Sequence, residues 1–171
     1  MSGPYKAVRV SEKVYWVGAV DWTLRHLHGY STPRGTTYNA YLVLAQEVAL
    51  IDTVKAPFKE ELLSRVASVI EPEKIDYIVS NHSEMDHSGC LPEVVEIVKP
   101  KKVLASARGV ATLAAHFHRD WEVQGVKDGE TFSLGDMNLL FIHSPMLHWP
   151  ESMCTYLREE AVLFSQIGAH A

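Results

Sequence analysis

The chain opens with short β-rich apolar runs separated by polar residues, and its later apolar positions change to helical spacing. Runs at 7–10 and 14–20, split by Ser11-Glu12-Lys13, predict a hairpin. Residues 21–36 carry Trp22, His26, His28, Pro33 and Gly35 and predict a loop, long enough to suggest a functional role. Runs at 38–44 and 48–51 around Ala45-Gln46-Glu47 predict a second hairpin, closed by Asp52. Phe58, Leu62, Val66 and Val69 then recur on one side of a helix predicted over 57–70. Residues 75–80 are apolar and end in small polar residues, which predicts a buried strand. Leu91, Val94, Val95 and Val98 place a helix over 88–99, stopped by Pro100. A strand at 103–106, a helix at 110–117, a turn at Asp128-Gly129 and strands near 131–132 and 137–142 follow. The segment 144–150 breaks the pattern, and 152–157 and 161–164 predict a last hairpin around Arg158-Glu159-Glu160. Strands that pair as hairpins and then alternate with helices imply a sheet backed by helices. There is no internal repeat, low-complexity tract or interdomain linker.

Between the strand at 75–80 and the helix that follows lies Asn81-His82-Ser83-Glu84-Met85-Asp86-His87-Ser88-Gly89. In an extended stretch His82 and Glu84 point the same way, because side chains alternate along a strand. Asp86 and His87 come from the turn into the helix and can face the same space from the other side. One loop can thus hold two adjacent metal ions. Imidazole and carboxylate without thiolate suit iron, manganese or zinc. The competing reading is a polar turn that caps a helix through Asp86 or Ser88.

Composition narrows the partners. A chain of 171 residues is long enough for one domain with its own core, and 47% hydrophobic with 22% charged residues is ordinary for a globular protein. The net charge of -5 gives no general attraction to nucleic acid or anionic membranes. No apolar run approaches about 18 residues, so no transmembrane helix is expected, and the start has no signal-peptide pattern. Cys90 and Cys154 form no close-spaced motif and suit buried thiols in a reducing cytoplasm.

Four stretches together carry a family resemblance: 16–22 (Trp-Val-Gly-Ala-Val-Asp-Trp), 34–42 (Arg-Gly-Thr-Thr-Tyr-Asn-Ala-Tyr-Leu), 81–89, and 145–150 (Pro-Met-Leu-His-Trp-Pro). The chain resembles, over almost its whole length, the N-terminal metallo-β-lactamase-like domain of flavodiiron proteins. Hydrolytic members of the wider superfamily usually show His-x-His-x-Asp-His; Glu84 stands at the second His position here, as in the flavodiiron branch. The resemblance implies an α/β (α+β) fold, a metallo-β-lactamase-like αββα sandwich, of which residues 1–171 supply the first half and part of the second. By position it implies that His82, Glu84 and His148 bind one iron and that Asp86 and His87 bind the other. His28 and Trp149 would line the site, Trp149 as the aromatic near the flavin.

The family pattern Ser-Asn-Asp-Ala-Phe-Gly-x-His, with its bridging Asp, appears here as Ser165-Gln166-Ile167-Gly168-Ala169-His170. The expectation is a domain incomplete at its C-terminal end, without the flavodoxin-like domain. The inner face of the first sheet would then lack its covering layer, and His170 is a possible substitute ligand. His26, His116, His118 and His143 read as loop, surface or structural residues.

What the resemblance implies for function is an oxidoreductase: a diiron site that reduces dioxygen or nitric oxide with electrons delivered through FMN from a separate domain or subunit. It implies a rubredoxin-like electron donor, a head-to-tail homodimer and a cytoplasmic setting. The alternatives are an oxygen-binding diiron sensor without flavin, a metal-dependent hydrolase of the superfamily, which Glu84 argues against, and an inert fragment.

Overall fold

The computed structural model describes residues 3–27, 29–118 and 121–165. Strands β1 (Val8–Arg9) and β2 (Val14–Trp16) form the expected hairpin, with Val8 opposite Trp16. The run that continues to residue 20 breaks after β2. A Cβ on Gly18 would lie 2.1 Å from the carbonyl oxygen of Tyr38, so the chain crosses closely there. Strand β3 (Ala19–Asp21) follows, then β4 (His26–Leu27) and β5 (Tyr30–Ser31), a two-residue hairpin inside the stretch read as a loop. Strand β6 (Thr36–Tyr38) returns to pair with β3. The second hairpin therefore starts at Tyr41, with β7 (Tyr41–Val43) and β8 (Val48–Ile51), because Tyr38 belongs to β6.

Helix α1 (Lys59–Ala67) is shorter than its apolar pattern, since a 3-10 turn over Ala56–Phe58 takes up Pro57. Leu62 and Val66 are buried, as the spacing requires. Strand β9 (Ile75–Ser80) matches its prediction. A separate single turn α2 (Met85–Ser88) comes next, within the loop, and the helix expected over 88–99 is shorter: α3 (Leu91–Val98), with Pro92 in its first turn. Lys99 adopts φ +52° and ends it before Pro100. Strand β10 (Lys102–Ser106), helix α4 (Ala107–Phe117) and strand β11 (Val123–Val126) complete the alternation of strands and helices. The chain ends in four antiparallel strands: β12 (Thr131–Ser133), β13 (Asn138–His143), β14 (Met153–Leu157) and β15 (Val162–Phe164).

The first sheet has seven strands in the order β1-β2-β7-β8-β9-β10-β11, with β8 to β11 parallel. Alternation sends its side chains to two cores. Leu42, Leu50, Ile78 and Val103 face the helices and meet Leu62, Val66, Leu91, Val94 and Leu113. Val43, Ala49, Ile51, Val79 and Leu104 face the second sheet and meet Leu139, Phe141, Met153, Leu157 and Phe164. The inner face of the first sheet is thus covered, against expectation: β12 to β15 bury it from the side away from the helices. Of the second sheet it is the outer face that meets solvent, where Ile142 and Leu163 are exposed and Leu140 and Tyr156 are half-buried. A helix layer, a seven-stranded sheet and a four-stranded sheet make up the first half of an αββα sandwich and part of the second.

Candidate metal centre

Strand β9 is an interior strand, so the loop after it sits at the C-terminal end of the parallel strands, not at a lateral sheet edge. Loops gather ligands there because strand ends bring side chains together while the sheet stays rigid. Asp52, which closes β8 with φ +58°, anchors the loop. Its carboxylate accepts from the backbone N–H of Asn81 at 2.7 Å and from the Asn81 amide at 3.1 Å. Thr155 of β14 donates to Asn81 Oδ1 at 2.6 Å, and the N–H of Met153 donates to its carbonyl. Both sheets therefore hold Asn81. Burial pushes the Asp52 carboxyl up to about 7, and the Asn81 hydrogen bonds pull the other way.

His82 follows directly and is fully buried. Its Nδ1 lies 2.7 Å from Oε1 of Glu151 and its Nε2 lies 3.1 Å from Oε2 of Glu84. Burial opposes charge on the ring, but the Glu84 and Glu151 carboxylates outweigh it and raise its pKa above the ordinary value. Glu84 is followed at once by α2, whose first residues are Met85, Asp86 and His87. The Ser88 hydroxyl donates to the carbonyls of Ser83 and Glu84, and Thr53 donates through both its N–H and its hydroxyl to the carbonyl of His87. The loop is thus tied at each step to β8 or to its own helical turn.

His148 arrives from the irregular segment between β13 and β14. Met146 adopts φ +66°, and hydrogen bonds from Met146 N–H to Trp149 and from Ser144 N–H to Ser152 fold the segment over the loop. Nε2 of His148 lies 3.1 Å from Oε2 of Glu84. His82, Glu84 and His148 bring their donor atoms within 4.8 Å of one another. The set offers two imidazole nitrogens and a carboxylate oxygen, with neither cysteine sharing in it, which fits a first-row metal such as iron. Asp86 and His87 lie alongside rather than in that set: their side chains are 3.7 Å apart, and the His87 ring is 5.7 Å from the ring of His82. Trp149 packs edge-on to His82 at 5.6 Å. His28, Ile167 and His170 lie outside the described residues. His116 and His118 are exposed, as expected, and His143 ends β13.

Glu151 is the residue that sequence reasoning missed. It is 4% exposed and holds the far side of the His82 ring. The available signal was a carboxylate three positions after a candidate His ligand, just past Trp149-Pro150.

A helix-backed sandwich with imidazole and carboxylate groups gathered at its strand ends defines a domain of β-lactamase-like fold with a candidate metal site. The chain belongs to the family described as "ODP family beta lactamase", whose pattern matches residues 36–170. It is 49% identical over 159 residues to "Nitric oxide reductase" of Moorella thermoacetica, covering 91% of this chain and 40% of that protein. It is 49% identical over 162 residues to "Rubredoxin-oxygen oxidoreductase" of Megalodesulfovibrio gigas, covering 94% and 40%. The solved rubredoxin oxygen:oxidoreductase of Desulfovibrio gigas superposes with a TM-score of 0.89, covering 92% of this chain and 40% of that one. The flavodiiron protein of Giardia intestinalis, 35% identical, also gives 0.89, covering 96% and 41%. The chain thus spans about 40% of the length of the relatives it matches. Among the described residues no helix is long and apolar enough to cross a membrane.

Proposed function

We propose that this chain carries the diiron-site domain of a flavodiiron-type oxidoreductase that reduces dioxygen or nitric oxide. The observation that carries the reading is the convergence of His82 and Glu84 with His148, brought from a different sheet, on donor atoms within 4.8 Å. The names of the relatives, a nitric oxide reductase and a rubredoxin-oxygen oxidoreductase, supply the reaction class. In this reading His82, Glu84 and His148 hold one iron, and Asp86 and His87 contribute to a second beside it. Two ferrous ions and a reduced FMN together supply the four electrons that take dioxygen to water.

The chain's own residues shape the rest. Glu84 presents one oxygen to both imidazoles, so it fixes the distance between them. Burial of His82 and of Trp149's edge against it excludes water from one side of the centre. Trp149 is half-buried and offers an aromatic face for a flavin. The FMN comes from a separate domain or from the partner in a head-to-tail dimer, and a rubredoxin-like protein reduces it.

The test is gas consumption. Protein loaded with iron under anaerobic conditions, supplied with an FMN-containing domain and a reduced rubredoxin, should consume dioxygen or nitric oxide. A His82→Ala, His148→Ala double variant should not. Equal rates in the two proteins, or no uptake of either gas by the loaded wild type, would refute the reading.

A further inference from the structure

We infer that Glu151 is a positioning residue for this centre: its carboxylate keeps a proton on Nδ1 of His82 and so turns the lone pair of Nε2 towards Glu84 and His148. The inference rests on the metal reading above and deepens it.

The geometry of one oxygen carries the argument. Glu151 Oε1 lies 2.7 Å from Nδ1 of His82 and 3.3 Å from the backbone N–H of Ser83. The Ser83 group can only donate, so Oε1 is held as an acceptor. The Nδ1 nitrogen facing this fixed acceptor carries hydrogen; Nε2 also faces a carboxylate, Glu84, and would give up any hydrogen it shares with that group when a metal binds. A neutral imidazole has one N–H, so with Nδ1 protonated its lone pair is at Nε2. Nε2 is the atom within 3.1 Å of Glu84 and in the donor set with His148. The opposite tautomer would put hydrogen where a metal needs electrons.

The carboxylate is itself fixed. Its own backbone carbonyl accepts from the Ser106 hydroxyl at 2.6 Å, and the same hydroxyl caps α4 by accepting from the N–H of Gly109 at 3.0 Å. Glu151 is therefore built onto the end of β10, while 69 residues of chain separate it from the ring it orients. A carboxylate that is 4% exposed needs a partner, because an unpaired buried charge is costly. Its oxygen has two donors, both on the His82 loop. Partners of this kind fix ring orientation and tautomer in metal sites.

Two variants separate charge from geometry. Glu151→Gln leaves an amide oxygen where Ser83 demands an acceptor, so the ring is still oriented but by a neutral group. Glu151→Ala removes the acceptor. Cobalt(II), read by its visible absorption, is the metal probe. Affinity should fall about 10–100-fold in Glu151→Ala and about three- to tenfold in Glu151→Gln. A second readout needs no metal. In the metal-free protein the Nδ1–H of His82 should give a downfield proton resonance, assigned by histidine nitrogen labelling. It should move upfield in Glu151→Gln and vanish in Glu151→Ala. If Glu151→Ala does not fold, Glu151→Gln decides alone on both readouts. Wild-type protein that binds cobalt while both folded variants bind it equally overturns the inference and leaves the metal reading standing. Wild-type protein that binds no cobalt and no iron overturns the metal reading, and this inference with it.

Discussion

Nε2 of His148 lies 3.1 Å from Oε2 of Glu84 across 64 residues of sequence, and Nε2 of His82 lies 3.1 Å from the same oxygen. One carboxylate oxygen therefore joins the loop after β9 to the segment before β14, and so the end of one sheet to the other. Two of the three groups are partly solvent-facing, with 28% of the His148 side chain and 23% of Glu84 exposed.

That exposure sets the first prediction. His148→Ala removes a donor but little packing, so its stability should stay within about 1 kcal/mol of wild type. Metal affinity should drop by more than about tenfold. Denaturant unfolding of the metal-free protein and a metal titration check the two halves. Unchanged affinity would remove His148 from the centre.

A second prediction concerns acid stability and the buried carboxylate of Asp21. Asp21 is 6% exposed, and its carboxylate accepts from the Thr23 hydroxyl and N–H, the Leu24 N–H and the buried Tyr38 hydroxyl. Burial alone would raise its pKa, but these hydrogen bonds outweigh burial and hold it below the ordinary value. A depressed folded-state pKa means a stabilising contribution that is complete above the unfolded value of about 3.9 and is lost as pH falls through the folded one. Asp21→Asn should therefore cost roughly 1–3 kcal/mol at pH 7, with the difference shrinking below about pH 4. Chemical unfolding of both proteins from pH 7 to pH 3 measures it; a gap that widens in acid would contradict the assignment.

Local patterns were legible where one chemistry decided them. The strand at 75–80 could be read directly, because a buried parallel strand is an apolar run, and the candidate loop at 81–87 stood out by its His-x-Glu-x-Asp-His spacing. The strand at 48–51 and the hairpin of 152–157 with 161–164 were legible as apolar runs set off by short polar turns. What depends on distant contacts was not. Tyr38 reads as part of the strand that follows it, yet pairing with β3 draws it into β6. The covering of the first sheet was not legible, because an expected incomplete second half implied a bare inner face, whereas Leu139, Phe141 and Met153 alternate towards Val79 and Leu104. Glu151 escaped notice because its role exists only once β10 and the His82 loop are adjacent.

The covering layer gives the third prediction. Phe141 is fully buried between the two sheets, among residues of β13 and β14 and the inner face of the first sheet. Phe141→Ala should cost about 3–5 kcal/mol, the sum of lost transfer energy and a residual cavity. If the first sheet were stable without the second, the cost would be small and unfolding by fluorescence and by circular dichroism would no longer coincide. We expect a single coincident transition at lower denaturant.

The last prediction concerns the turn that carries Asp86 and His87. Gly89 follows α2 with φ −57°, a conformation open to any residue, so its lack of a side chain answers a spatial need. A Cβ there would lie 2.4 Å from the carbonyl oxygen of Met85, 2.8 Å from the backbone nitrogen of Ala56 and 3.2 Å from Cα of Lys55. All three are backbone atoms and none can swing aside. The neighbouring Cys90 N–H donates to Val54, and the Thr53 groups hold the carbonyl of His87, so the turn is pinned to the strand end after β8. Gly89→Ala must push α2 away from residues 53–56 or distort it. The cost should be about 1–3 kcal/mol, in the range of overpacked interiors. Because His87 and Asp86 ride on the displaced turn, metal bound beside the His82 set should be lost before metal bound within it. Stoichiometric iron titration and denaturant unfolding of the variant measure both effects. A wild-type unfolding midpoint together with wild-type stoichiometry would show that the turn has room the structure does not give it.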